Sequence, residues 1–342
     1  MSSTTPRLAL ALQGGGAHGA YGWGVIERLL DEDVEIVAVS GASAGALNGA
    51  ALVSGLVADG RQGARDALEQ LWDNVSRNSP LQAFDVDLWT APLFEPLLRR
   101  SLEFSKLVGR YFAPLSPGLR NMAALRRVVG GSLDLSLLRD PQAIPLSIAA
   151  TRVSTGAARL FHNSDITLDA LMASACLPDL FGPVTIEGKP YWDGGFSANP
   201  ALEPLIFDGH GQTDLLIVQI TPFAAQETPD TLVEVMGRMS DIGFNACLLR
   251  DLKALTEVQS IARRAPPIDE KFTALADTNL HLMEAPHALA ARGPSGKSDT
   301  RRSQLEALRE LGRVTADAWL QEHGGKLGRK STLTALPDTV AA

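Results

Sequence analysis

The chain has 342 residues, 45% of them hydrophobic and 20% charged, which excludes disorder, collagen and coiled coil as descriptions of the whole. That length fits one large α/β domain or two ordinary ones, and it buries enough surface to fold without disulfides or a structural metal. A net charge of −8 speaks against a general nucleic-acid binder, which needs a basic footprint.

Leu8 to Leu12 is a short apolar run between Pro6 and glycines, the pattern of a buried strand. It is too short for a signal-peptide core, and no run of about 18 apolar residues occurs that could span a membrane. A cytoplasmic protein is expected, with peripheral contact at membrane or lipid surfaces left open. Cys176 and Cys247 show no metal-ligand spacing and fit a reducing compartment. After the glycine run Gly14-Gly15-Gly16-Ala17-His18-Gly19, a helical pattern extends to Asp31, with Tyr21, Val25, Leu29 and Leu30 on one face. Val34 to Val39 reads as a second strand. Gly41-Ala42-Ser43-Ala44-Gly45 and a small-residue helix follow. This βαβ unit predicts parallel strands, with both loops at their carboxyl ends, where open α/β sheets keep their sites.

Residues 61 to 140 are broken by prolines and rich in aromatics, and are expected to form a helical cap insertion over the sheet. Within it, the stretch from Pro80 to Gly118 has the composition of a lid. Trp89, Leu93, Phe94, Phe104, Tyr111 and Phe112 supply apolar area, and Arg99, Arg100, Lys106 and Arg110 supply charge for anionic head groups. Strands are predicted at 145–150, 214–220 and 280–283, and helices at 168–174, 229–262 and 303–321. A hairpin over 184–192 turns at Glu187-Gly188. The tail over 324–342 lacks core residues and is expected to be loosely ordered.

The GxSxG pentapeptide suits a strained strand-to-helix turn that holds Ser43 exposed at a helix N-terminus, where N–H groups favour a developing negative charge. The glycine run fits GxGxxG through Gly14, Gly16 and Gly19. A dinucleotide site would also need an acidic residue at the end of the second strand, and Ser40-Gly41-Ala42-Ser43 stands there instead. The other reading is an oxyanion hole, one crossover unit before Ser43, in which consecutive glycines present backbone N–H groups. A nucleophilic serine needs a base. Among six histidines none sits in a convincing short loop after a strand, although His210 and His287 stay open. Asp193 follows a Tyr-Trp strand end and precedes Gly194 and Gly195, which leave room beside the carboxylate. Taken alone, an Asp-Gly pair is an ordinary turn.

Together, GGGAHG, GASAG and the DGG at Asp193 occur in an order that resembles the bacterial patatin-like phospholipases. The stretches ATRVSTGAARLFHN and SACLPDLFGPVTIEGKPYWDGG are also similar to that family. The likeness covers about residues 7 to 220. It implies a three-layer α/β/α fold with a mostly parallel central sheet, and one patatin-like domain over 1–323. It also implies lipid acyl hydrolysis by a Ser43–Asp193 dyad without histidine, with no metal or cofactor and a lipid or ester as partner. The backbone of Gly14, Gly15 and Gly16, with help from Ala44, would hold the oxyanion. Gly19, Gly41, Gly45, Gly194 and Gly195 complete the motifs. His18 departs from the pattern, since the family often has Arg or Lys there, so a titrating group replaces a permanent cation beside the substrate. The competing readings are a histidine-dependent α/β-hydrolase and a non-enzymatic nucleotide-binding module.

Overall fold

The computed structural model describes residues 5–78, 122–178, 181–208, 213–225, 228–290, 292 and 296–333. In chain order the elements are β1 (Arg7–Leu12), α1 (Gly19–Leu29), β2 (Glu35–Ala42), α2 (Ala44–Asn78) and α3 (Ala123–Ser132). Then come β3 (Leu146–Arg152), β4 (Ala158–His162), α4 (Leu168–Ser174), β5 (Val184–Ile186), β6 (Lys189–Asp193) and α5 (Glu203–Phe207). The chain continues with β7 (Asp214–Val218), α6 (Leu232–Ala262), α7 (Glu270–Asp277), β8 (Asn279–Met283), α8 (His287–Ala290) and α9 (Arg302–His323).

Strands β3, β2, β1, β7 and β8 run parallel in that order, and β4, β5 and β6 add an antiparallel flank around β3. The apolar runs without polar alternation have a physical reason, because both faces of the sheet are covered. Leu8, Leu10 and Leu12 of β1, with Leu216 and Val218 of β7, face a core layer built with α1, α2, α3, α4 and α9. Ala9 and Ala11, with Leu215 and Ile217, face a second layer from the start of α5 through α6 and α7. This is the expected three-layer α/β/α arrangement. Each fully buried leucine contributes roughly 1.5–3 kcal/mol of transfer free energy.

Local chemistry accounts for the boundaries. The Thr231 side chain accepts the Glu234 N–H while the Glu234 carboxylate accepts the Thr231 N–H, a capping box that starts α6. The Thr167 side chain caps α4 by accepting the Ala170 N–H. Glu187 and Gly188 both have positive φ, as the two-residue turn between β5 and β6 requires.

Two expectations change. The described parts of 61–140 pack into the main fold. α2 breaks at Asp59–Gly60 and resumes, and Ala64, Leu68, Leu71 and Trp72 of its second half lie in the main core. Val128, Val129, Leu133 and Leu138 are buried there too. The proposed lid over 80–118 lies outside the described residues. The tail is also ordered further than its polar composition suggests. Leu327 and Leu333 are buried, and Thr332 and Leu333 donate backbone hydrogen bonds to the Leu280 carbonyl at the edge of β8.

One register relation decides where the site forms. Ala149 of β3 pairs with both Leu160 of β4 and Ala42 of β2, so β4 and β2 flank it on opposite edges. Ala150 pairs with both Arg159 of β4 and Asp193 of β6, again on opposite edges. Strands β2 and β6 therefore occupy the same edge of β3 and meet end to end at Ala149–Ala150. The residue that leaves β2 is Ser43, and the residue that ends β6 is Asp193.

Candidate active site

Ser43 has φ +54°, a left-handed conformation that costs a non-glycine residue roughly 1–2 kcal/mol. The turn stays because its neighbours leave no alternative. A Cβ on Gly41 would lie 2.4 Å from the Gly45 carbonyl oxygen, and one on Gly45 would lie 2.1 Å from that of Leu12. Only glycines let the start of α2 press this closely on β1 and β2. The Ser43 N–H donates to Ser174 Oγ at 3.1 Å, and the Ser43 carbonyl accepts from Ala46 and Leu47, so the elbow is fixed on both sides. Ala44 opens α2 with its N–H at the positive end of the helix.

The glycine loop lies directly against this serine. A Cβ on Gly14 would stand 2.6 Å from Ser43 Cβ, and one on Gly19 would stand 2.4 Å from Ala44 Cβ. Gln13, fully buried, sets the loop's origin. Its Oε1 accepts from the Ile220 and Thr221 N–H groups at 2.7 Å each, and its Nε2 donates to Asn245 Oδ1 at 2.9 Å. The Gly14 N–H donates to the buried Asn199 Oδ1 at 2.7 Å, so of the three glycines expected to face an oxyanion it is already engaged. Ala17 N–H donates to the Lys297 carbonyl at 2.9 Å, and the Lys297 ammonium reaches Asp241 of α6 at 2.5 Å.

Asp193 is fully buried. Its N–H donates to the Cys176 carbonyl at 2.9 Å, its carbonyl accepts from Thr151 Oγ1 at 2.7 Å, and its Oδ1 accepts from the Gly195 N–H at 2.8 Å. Gly194 and Gly195 are needed as glycines for packing: added Cβ atoms would lie 2.1 Å from the Ala149 carbonyl oxygen and 2.3 Å from the Phe244 ring. The nearby Cys176 thiol is pushed up to about 12, first by burial and then by the charge of Asp193.

His18 departs from the expected titrating group: it is buried at 3% exposure, and burial, with the charges of Lys297 and Arg292, lowers its pKa to about 3. A histidine with that pKa is neutral at pH 7. Of the other described histidines, His162 meets Ser147, His323 meets Trp319 edge-on, His281 lies beside Asp214, and His287 opens α8. His210 lies outside the described residues. Gln13, Asn199, Ser174 and Lys297 were not singled out by sequence. Gln13 immediately precedes the glycine run, and Asn199 follows the DGG turn after three residues, which is the one signal they carry.

The family model described as patatin-like phospholipase matches residues 10–206. Uncharacterized NTE family proteins of Mycobacterium bovis and Mycobacterium tuberculosis are 27% identical over 203 residues, covering 59% of this chain. The chain spans a little under half the length of these relatives, 45% of each. The crystal structure of VipD from Legionella pneumophila aligns over 94% of this chain and 68% of its own, with a TM-score of 0.43 and 16% identity. Among the described residues no helix is long and apolar enough to cross a membrane. With its glycine loop, elbow and DGG turn inside a match that covers more than half of its length, the chain belongs to the patatin-like phospholipase family.

Proposed function

We propose that the protein is a serine hydrolase that cleaves acyl esters of lipids, with Ser43 as nucleophile and Asp193 as its base. The observation that supports this reading is the end-to-end meeting of β2 and β6 on β3, which brings Asp193 to the end of the sheet where Ser43 packs against the glycine loop. Ser43 Oγ attacks the ester carbonyl carbon while its proton passes to the Asp193 carboxylate. The resulting oxyanion is held by N–H groups of the glycine loop and by Ala44 at the start of α2. Such donors are typically worth about 10²–10³ in rate each. Collapse expels the alcohol, which leaves with the proton held by Asp193, and an acyl-enzyme remains. Water then attacks that ester and gives its proton to Asp193. Release of the fatty acid returns a proton to Ser43. The scheme uses no metal or cofactor.

The test is covalent. A fluorophosphonate probe should label Ser43 alone, mapped by mass spectrometry, and Ser43→Ala should lose both labelling and ester hydrolysis. Labelling elsewhere, or undiminished turnover by Ser43→Ala, overturns the proposal. A panel of micellar and monomeric esters would then define the substrate class.

A further inference from the structure

The backbone N–H groups of the glycine loop can be followed one by one, since a buried N–H must find a partner. Gln13 donates to the Val218 carbonyl at 3.2 Å, Ala17 to Lys297 and His18 to the Gly15 carbonyl at 3.2 Å. Gly14 donates to Asn199 Oδ1. In this run the N–H groups of Gly15 and Gly16 make no hydrogen bond among the described residues.

We propose that Asn199 is a positioning residue that anchors the oxyanion loop through Gly14 and withholds the Gly14 N–H from substrate, leaving Gly15 and Gly16 as the loop's donors. This rests on the Ser43 reading above. Asn199 is fully buried, and both ends of its amide are used: Oδ1 accepts from Gly14, and Nδ2 donates to the Phe244 carbonyl at 3.2 Å. The orientation is unambiguous, because a backbone N–H only donates and a carbonyl only accepts, so a flipped amide would lose both bonds. Asn199 also follows Asp193 on the same short segment. The base and the oxyanion loop are thus referenced to one piece of chain, and Phe244 clamps it twice, by its carbonyl and by its ring over Gly195. Gly14 cannot drift, because Ser43 Cβ and the Ala42 carbonyl oxygen already fill the space a side chain would take.

Amide hydrogen exchange on the native protein, read by NMR, tests the assignment directly. In the free protein Gly14 should exchange at least about tenfold more slowly than Gly15 and Gly16, as a hydrogen-bonded buried amide does. In the Ser43 phosphonyl adduct Gly15 and Gly16 should gain protection while Gly14 stays as it was. New protection at Gly14 on adduct formation, or fast exchange of Gly14 in the free protein, overturns the proposal. Failure to form the adduct would instead count against Ser43, and the free-protein exchange still decides on Gly14.

Two variants supply the kinetic arm, with rates taken per active site titrated by the probe. Asn199→Ala should lower kcat about 10- to 100-fold, within the range for a misplaced oxyanion donor, with KM within about threefold. Asn199→Asp loses the same bond to Phe244 but keeps an acceptor for Gly14, and should recover most of kcat. Equal kcat in both variants, with only a lowered Tm, would show a purely structural asparagine and overturn the proposal. If Asn199→Ala does not fold, the exchange experiment carries the test alone.

Discussion

Two buried aspartates end up at opposite ends of one sheet, and they differ in almost everything except residue type. Asp193 closes β6 beside the carboxyl end of β2, next to a serine held at positive φ and a loop of glycines. Asp214 opens β7 beside Leu8, at the amino end of the parallel strands. There it resembles part of a hydrolytic triad: His281 Nε2 lies 3.7 Å from Asp214 Oδ1, and His281 Nδ1 lies 3.0 Å from Thr332 Oγ1. Yet Asp214 accepts from Asn279 Nδ2 and from the Gly328 N–H, so both of its oxygens are committed. Thr332 sits in edge backbone paired with Leu280. An acid, a histidine and a hydroxyl in contact are therefore not enough. The strained turn and the open donors set the proposed reactive end apart, and there the proposed base is an aspartate.

The sharpest way to break this contrast is to disable each end in turn. Asp193→Asn keeps the shape but removes the proton acceptor, and turnover of a monomeric ester should fall by about 10²–10⁴. Asp214→Asn, His281→Ala and Thr332→Val should each keep kcat per titrated active site within about threefold. His281→Ala should lower stability instead, by about 2–5 kcal/mol as a fully buried ring is lost from beside Trp319 and Thr332, seen as a lower urea midpoint. A His281 variant as inactive as Asp193→Asn would restore the histidine-dependent reading.

A finer comparison uses the glycine that donates to each aspartate. The Gly195 N–H serves Asp193, and a Cβ there would run into the Phe244 ring at 2.3 Å. Gly195→Ala should displace the turn and cut activity at least about tenfold, in line with the sensitivity of reaction geometry to shifts of this size. Gly328 serves Asp214 at φ +70°, with its nearest neighbour 3.8 Å from a built Cβ. Gly328→Ala should lose only the cost of a left-handed alanine, about 1–2 kcal/mol in denaturant unfolding, with activity intact. Reversed outcomes would mean that the far end matters to chemistry.

How much of this was legible in the sequence follows from which interactions are local. The strands, the elbow and the DGG turn each declare themselves over a handful of residues, because glycines and apolar runs answer to nearby backbone. Asn199 does not. Its role depends on Gly14 and on Phe244, which stand far from it in the chain and meet it only once β1 and α6 are in place. The second half of α2 could have been read: Ala64, Leu68, Leu71 and Trp72 recur at helical spacing, but the prolines and aromatics further on suggested an insertion. β4 is short and half-exposed, so its alternation carried little weight, and its place is given by pairing with β3. The tail misled because its described apolar residues, Leu327 and Leu333, lie too far apart to form a pattern and are buried by tertiary contact.

The buried histidines of the two ends give the last and smallest contrast. At the far end His281 faces a carboxylate. At the reactive end His18 faces Lys297 and Arg292, and burial together with those cations holds its pKa near 3 instead of 6.5. The folded state therefore keeps His18 neutral while the unfolded chain protonates it below about pH 6.5. Protons bind preferentially to the unfolded state in the window from about 6.5 down to about 3, so this group's contribution is fully present above 6.5 and is lost as pH falls. Between pH 7 and pH 5 the loss amounts to about 2 kcal/mol, at about 1.4 kcal/mol per unit of pH once the unfolded histidine is charged. His18→Gln replaces it with a side chain that cannot titrate. Its urea midpoint should change less between pH 7 and pH 5 than that of the parent protein, whatever its absolute stability at pH 7. An unchanged pH slope would mean that His18 takes up its proton within the fold, and the reading of a permanent or titrating cation beside the glycine loop would return.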